Sequence, residues 1–269
     1  MNLKILTKEK EKLTFILEKA TIPFANALRR ACIGEVPTMA IASVEFRKNS
    51  SSAYDEVIAH RLGLIVLKTD LRSYNLPHLC KCKGEGCASC RLTLTLKAKG
   101  PLTVHAEDIE SQDPKVIPVH PKTIVCKLLK DQELELEATA TLGVGKVHAK
   151  WSPGLIFYKF EPVVEVTKRI GQEVIQSCPR ELFVEKKGEG ELVKDYKEKC
   201  ILCYACQDAS GGAVKVSENP ENFYFEVESW GQLDPQIIVK KACEILTEKC
   251  DEFEEKIKDA RVAEPGQMR

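Results

Sequence analysis

Eight of the twelve cysteines in this 269-residue chain fall into two groups of four, and no other feature limits its fold as strongly. The N-terminus, MNLKILTKEKEK, lacks the apolar core of an export signal. No apolar run reaches the roughly 20 residues that cross a bilayer. A cytoplasmic chain is expected, where thiols stay reduced, so grouped cysteines point to metal rather than to disulfides. Two small metal-held segments must therefore be accommodated in a larger body, and 43% hydrophobic residues are ample for its core. The scattered Cys32, Cys126, Cys243 and Cys250 stand in apolar contexts and are expected in that core.

The first group is the run CKCKGEGCASC, with Cys80, Cys82, Cys87 and Cys90 inside eleven residues. Four thiolates converging on one point suit a tetrahedral zinc, and Gly84 and Gly86 allow the tight backbone of a small knuckle. The C-x-C opening is less usual than two C-x-x-C pairs, so free thiols or a transient redox pair are the alternatives. A closed four-ligand site would be structural, and His78 beside it is expected to be a bystander.

The second group is the more specific. Cys200, Cys203 and Cys206 make C-x-x-C-x-x-C, and Cys178 is followed by Pro179, the ending of a bacterial ferredoxin motif. In a two-cluster ferredoxin each cluster takes three cysteines from one run and its fourth from the cysteine-proline of the other. These four are thus the ligand set of one cluster. Ser210 stands where a second run would place its last cysteine. A 4Fe–4S cluster is expected because all four ligands are present, with 3Fe–4S as its variant and zinc as the rival occupant.

Around these sites the patterning is α+β. Leu3 to Leu6 and Leu13 to Glu18 predict a hairpin. Thr21 to Met39 reads as a bounded amphipathic helix: Thr21 can cap it, Pro23 falls in its first turn, Gly34 loosens its last turn and Pro37 stops it. Ala25, Leu28, Cys32 and Val36 follow the helical repeat, Phe24 and Ala31 widen the stripe, and Arg29 and Arg30 lie beside it. On periodicity alone that is a core helix with a solvated basic pair.

Farther on, Ile41 to Arg47 predicts a strand, and Ser52 with Asp55 a capped helix whose apolar side is Val57, Ile58, Leu62 and Ile65. Arg91 to Ala98 and Glu133 to Ala138 alternate as half-buried antiparallel strands. Asp108 to Pro121, broken by three prolines, predicts a connection. Gly143 and Gly145 predict a turn, followed by a packed surface histidine, His148, near Trp151. Leu155 to Val166, Leu182 to Glu185, Val214 to Ser217 and a stretch from Phe223 predict further strands. Asp234-Pro235 opens a helix of about 24 residues, or roughly 36 Å. Its seam is Val239, Ala242, Leu246, Cys250, Phe253 and Ile257, and the tail after Ala263 is expected to fray.

Lys plus Arg equals Asp plus Glu at 40 each, so net charge supplies no pull toward nucleic acid or membrane. Nothing resembles a catalytic carboxylate cluster or a paired nucleophile and base. A ferredoxin-type electron-transfer subunit of an oxidoreductase is the alternative that the second cysteine group alone would support, but no flavin or nicotinamide motif accompanies it.

Four segments, FANALRRACIGEVPTMAI, YDEVIAHRLGLIVL, GKVHAKWSP and SWGQLDPQIIVKKACEIL, together resemble the α-type assembly subunits of cellular RNA polymerases. The ferredoxin-like insertion makes the chain most similar to the D-type subunits of archaeal RNA polymerases. That resemblance implies an α-like dimerisation domain built from both chain ends, residues 1–42 and 222–269, with 152–168 as a strand returning to it. It also implies a β-rich insert domain at 43–151 carrying the four-cysteine zinc loop, and a small ferredoxin-like iron–sulfur domain at 169–221. The implied role is a non-catalytic scaffold that forms a heterodimer with the smaller α-like L subunit. This platform recruits the small N and P subunits and the large catalytic subunits, which hold the catalytic magnesium. Phe24, Leu28, Arg29 and Arg30, with Leu246, Cys250 and Phe253, are the implied dimer and docking residues, and no sequence-specific nucleic-acid contact is expected.

Overall fold

A computed structural model describes residues 1–186 and 188–260. The chain divides into two compact units, one made of residues 1–29 and 156–227, the other of residues 30–155 and 228 onward. The tail after Ala263 lies outside the described residues.

In chain order the elements are β1 (Asn2–Lys8), β2 (Lys12–Glu18), α1 (Ile22–Gly34), β3 (Pro37–Asn49), α2 (Asp55–Gly63), β4 (Leu92–Lys99), β5 (Leu102–His105), β6 (Glu110–Ser111), β7 (Ile124–Leu128) and β8 (Glu133–Val144). There follow β9 (Gly154–Val166), α3 (Gln172–Ser177), β10 (Phe183–Lys186), β11 (Glu189–Leu192), α4 (Tyr196–Lys199), α5 (Ala205–Ala209), β12 (Val214–Ser229) and α6 (Pro235–Asp259).

The first unit is built on a sheet of order β1-β2-β12-β9. The predicted hairpin forms with Leu3 opposite Leu17 and Ile5 opposite Phe15. Aromatic side chains fill the sheet's inner face: Phe15 stacks on Phe225 at 5.0 Å, and Tyr158 meets Phe223 edge-on at 5.5 Å. Two strands expected separately, one at Val214 and one at Phe223, are a single β12 that runs on through Asn219-Pro220. Beyond the sheet, α3, α5 and the β10-β11 hairpin gather a small second core around Val164, Ile170, Val174, Leu182, Phe183, Val214 and Val216.

The second unit holds the larger core. Its sheet has the order β3-β8-β4-β6, with β3 paired to β8 from Pro37 opposite Val144 to Asn49 opposite Leu134. The predicted alternation of β8 is realised: Leu134, Leu136, Ala138, Ala140 and Leu142 are buried, while the glutamates and threonines between them are partly exposed. Ile58 and Leu62 of α2 bury against this face. The expected start of α2 is corrected: its N-cap is Tyr54 with no side-chain cap, and Ser51 with Asn49 forms the turn ahead of it. Asp55 and Glu56 in the first turn and His60 and Arg61 in the last suit the helix dipole instead.

The opening helix α1 ends at Gly34, earlier than the Pro37 stop, because Pro37 already begins β3. Ala25, Leu28, Ala31, Cys32 and Val36 are buried as the stripe predicts. The fourfold assignment of scattered cysteines to the core is corrected in half: Cys32 and Cys126 are buried, whereas Cys243 and Cys250 on α6 are exposed.

Candidate metal centres and assembly surface

The loop between α2 and β4 brings Cys80, Cys82, Cys87 and Cys90 together so that one sulfur from each lies within 4.8 Å of the others. Tight local turns do this. Lys83 N–H donates to the Cys80 carbonyl at 2.8 Å, Glu85 N–H to Cys82 at 3.1 Å, and Cys90 N–H to Cys87 at 2.9 Å. Gly84 and Gly86 adopt φ of 90° and 100°, which a side chain would strain. The sulfurs of Cys80 and Cys87 are 3.5 Å apart, those of Cys82 and Cys90 3.4 Å, and those of Cys87 and Cys90 3.9 Å. A tetrahedron of sulfurs at the usual zinc–sulfur length of about 2.3 Å has edges of about 3.8 Å, so the donor set fits a single tetrahedral ion.

The electrostatics of the loop agree with that fit. The Gly86 N–H and then the Cys90 thiol hold Cys82 down to about 6, while burial pushes Cys90 up to about 12. A thiol lowered among raised ones suits a cation that displaces the remaining protons as it binds. His78 is exposed and stands outside the group.

Cys178, Cys200 and Cys206 are buried members of the small second core, with Leu202 packed against it, and Cys203 is exposed. Among the described residues no second set of ligating atoms is drawn together as closely as the first. Cys178, Cys200, Cys203 and Cys206 nevertheless act electrostatically on one another, so the four thiols lie around one region of that core.

Two backbone observations fit a bound group here. Leu202 and Tyr204, flanking Cys203, have φ of 55° and 62°, an uncommon conformation for large side chains. Each costs on the order of 1–3 kcal/mol and persists only where the surroundings impose it. The turn also lets Leu202 N–H donate to the Cys200 sulfur at 3.5 Å. Burial raises the Cys206 thiol, and the other three thiols add to the rise, as expected where four would-be anions share one site. Ser210 ends α5: its hydroxyl donates to the Gln207 carbonyl at 2.7 Å and accepts from Val214 N–H at 3.0 Å.

The sequence missed the supports of this loop. Lys159 of β9 donates to the carbonyls of Glu198 and Cys200. Glu161, two residues on, accepts from Lys197 and Asn222, both at 2.6 Å. Only a register linking β9 to a segment some forty residues away could have revealed them.

The implied assembly residues divide by exposure. Leu28 is 3% exposed, so its side chain is taken up within the chain itself. Phe24 and Leu246 are half-buried. Arg29 is held by Asn26 on its own helix at 3.0 and 3.3 Å, and Arg30 is exposed. On α6, Ile238 and Ala242 are buried, whereas Cys250, Phe253 at 65% and Ile257 at 57% face outward on the same seam. No helix among the described residues is long and apolar enough to cross a membrane.

A family model described as the RNA polymerase Rpb3/RpoA insert domain matches residues 44–157. The DNA-directed RNA polymerase subunit Rpo3 of Methanothermobacter thermautotrophicus is 39% identical over 94% of this chain and 97% of its own. The chain belongs to the Rpo3 family. D-type subunit and Rpo3 are two names for the same family, so the resemblance read from the four segments identified it. The Rpo3 subunits of Archaeoglobus fulgidus, 39% identical over 96% of this chain and 98% of theirs, and of Pyrococcus horikoshii, 38% identical over 94% and 96%, agree. As an Rpo3-type polymerase subunit the chain is not catalytic alone, because nucleotidyl transfer lies in the large subunits.

Proposed function

We propose that this chain is an assembly scaffold of an archaeal RNA polymerase, pairing with the L subunit to form the platform on which the N and P subunits and the large catalytic subunits gather. The observation that carries the reading is the outer half of α6, whose apolar seam of Cys250, Phe253 and Ile257 has no cover within the described residues. An exposed seam on a helix of 25 residues is a helix-packing surface awaiting a second chain. Phe24, Arg30 and Leu246 extend the contact, with Leu28 and Arg29 holding α1 in place. The dimerisation domain comprises residues 1–42, 152–168 and 222–269, with the insert at 43–151 and the ferredoxin-like domain at 169–221.

Cys80, Cys82, Cys87 and Cys90 hold a structural zinc, supported by the near-tetrahedral sulfur spacing. Cys178, Cys200, Cys203 and Cys206 hold one 4Fe–4S cluster that knits a small domain with little core of its own. Neither group takes part in nucleotidyl transfer. Co-expression with the L subunit tests the scaffold: Phe253→Glu should abolish co-purification while leaving zinc and iron contents at wild-type levels. Unchanged pairing, or recovery of the chain with a flavoprotein instead of polymerase subunits, would overturn it.

A further inference from the structure

Lys159 sits on β9, and its ammonium donates to the Glu198 carbonyl at 2.5 Å and the Cys200 carbonyl at 2.6 Å. Arg180, two residues after Cys178, donates from Nε to the carbonyl between them, that of Lys199, at 3.4 Å. Three successive carbonyls leading into the C-x-x-C-x-x-C run are therefore held by cationic side chains. The Lys159 stem passes the Tyr224 ring, its ammonium 5.6 Å from the centroid.

This placement is expensive. A half-buried ammonium ordinarily recovers its lost hydration from a carboxylate, yet among the described residues Lys159 has no carboxylate within ion-pair distance and bonds neutral carbonyls. Burial works against its charged form, and Cys200, then Glu226 and Glu198, work in its favour. Glu161, on the same side of β9, shows the ordinary solution: it pairs with Lys197 at 2.6 Å.

We propose that Lys159 is a positioning residue for the iron–sulfur ligand loop, fixing the carbonyls that aim Cys200 and placing an ammonium beside the ligand set. The inference rests on the reading of Cys178, Cys200, Cys203 and Cys206 as cluster ligands. Four thiolates carry more negative charge than an apolar core tolerates, and Lys159 offsets part of it from behind the loop. Arg180 does the same at the Cys178 end from a more exposed position.

The test uses the full-length chain, purified without oxygen, in wild-type, Lys159→Met and Lys159→Arg forms. Release of iron to a ferrous chelator is followed, with zinc retained by the Cys80–Cys90 loop as an internal reference. Lys159→Met should release iron roughly tenfold faster or more, the usual cost of losing an outer partner of a metal ligand. Lys159→Arg, which keeps charge and donors, should release it close to the wild-type rate, and zinc should stay bound in all three. Equal rates in Lys159→Met and wild type would overturn the inference and leave the cluster reading standing. So would an arginine form as fast as the methionine form, or a methionine form that also loses zinc and far-ultraviolet circular dichroism. A wild-type chain with zinc but no iron would instead remove the cluster reading itself, and this inference with it.

Discussion

A methyl group added at residue 143 would lie 2.4 Å from the Trp151 ring. That ring cannot step aside cheaply, because its Nε1 donates to the Thr141 carbonyl at 3.2 Å, Lys150 lies over it at 4.4 Å, and its own carbonyl accepts from Thr38 at 2.7 Å. Gly143→Ala should therefore destabilise the chain by about 1–3 kcal/mol, read as a lower thermal midpoint, while Gly171→Ala, in open space and without a positive φ, serves as a control for glycine replacement itself. The charged residues of the same sheet respond to pH. Hydrogen bonding from Lys48, then from Lys99 at 3.0 Å, lowers the Glu133 carboxyl to about 2. Its folded value lies below the unfolded value of about 4.3, so its contribution is complete above that pH and is lost as pH falls toward 2. Glu133→Gln should lower the urea midpoint at pH 6, and the gap to wild type should close on approach to pH 2. The four-cysteine loop was legible at this scale because its thiols and both glycines lie within one short segment. The Lys159 carbonyl contacts were not, because a lysine on a strand carries no mark of the distant backbone it reaches.

Helices show where periodicity stops informing. The stripe on α1 and the seam on α6 were both readable, but a stripe says which residues share a face and not whether the chain covers that face itself. Leu28 is covered and Phe253 is not. Cys243 and Cys250, read as core from their apolar neighbours, are exposed for the same reason. The difference is measurable on the isolated chain. Leu28→Ala should cost about 2–5 kcal/mol by leaving a cavity, whereas Phe253→Ala should change the unfolding midpoint little and act on pairing with the L subunit. Equal destabilisation by the two would mean that α6 already packs its outer seam. Strand ends were less legible than helix faces. Asn219-Pro220 lies between the two strands expected separately, yet β12 continues through it.

The two units differ in what holds them, and that difference decides how the molecule responds to metal loss. The core beneath the β3-β8-β4-β6 sheet is filled by aliphatic side chains such as Leu94, Leu96, Leu128 and Leu134, with the Cys80–Cys90 ligands outside it. Losing an ion held by those four cysteines should take away a loop closure and leave that core intact. In the small core beyond β9, by contrast, Cys178, Cys200 and Cys206 are themselves buried members, beside few aliphatic partners and the short hairpin β10-β11. If its cysteines hold a cluster, as proposed, a segment so small should draw much of its stability from that group. The same imbalance explains what could be read in advance. The grouping of Cys80, Cys82, Cys87 and Cys90 was legible from spacing, whereas the grouping of residues 1–29 with 156–227 depends on long-range strand pairing that no local pattern encodes. Hydrogen exchange on the full-length chain separates the two cases. Extraction of iron should deprotect residues 170–216 while β4 and β8 keep their protection, and extraction of zinc should deprotect residues 75–91 alone. If iron extraction left α5 and β10 as protected as before, the small core would be self-supporting and the cluster would need another reason to be there.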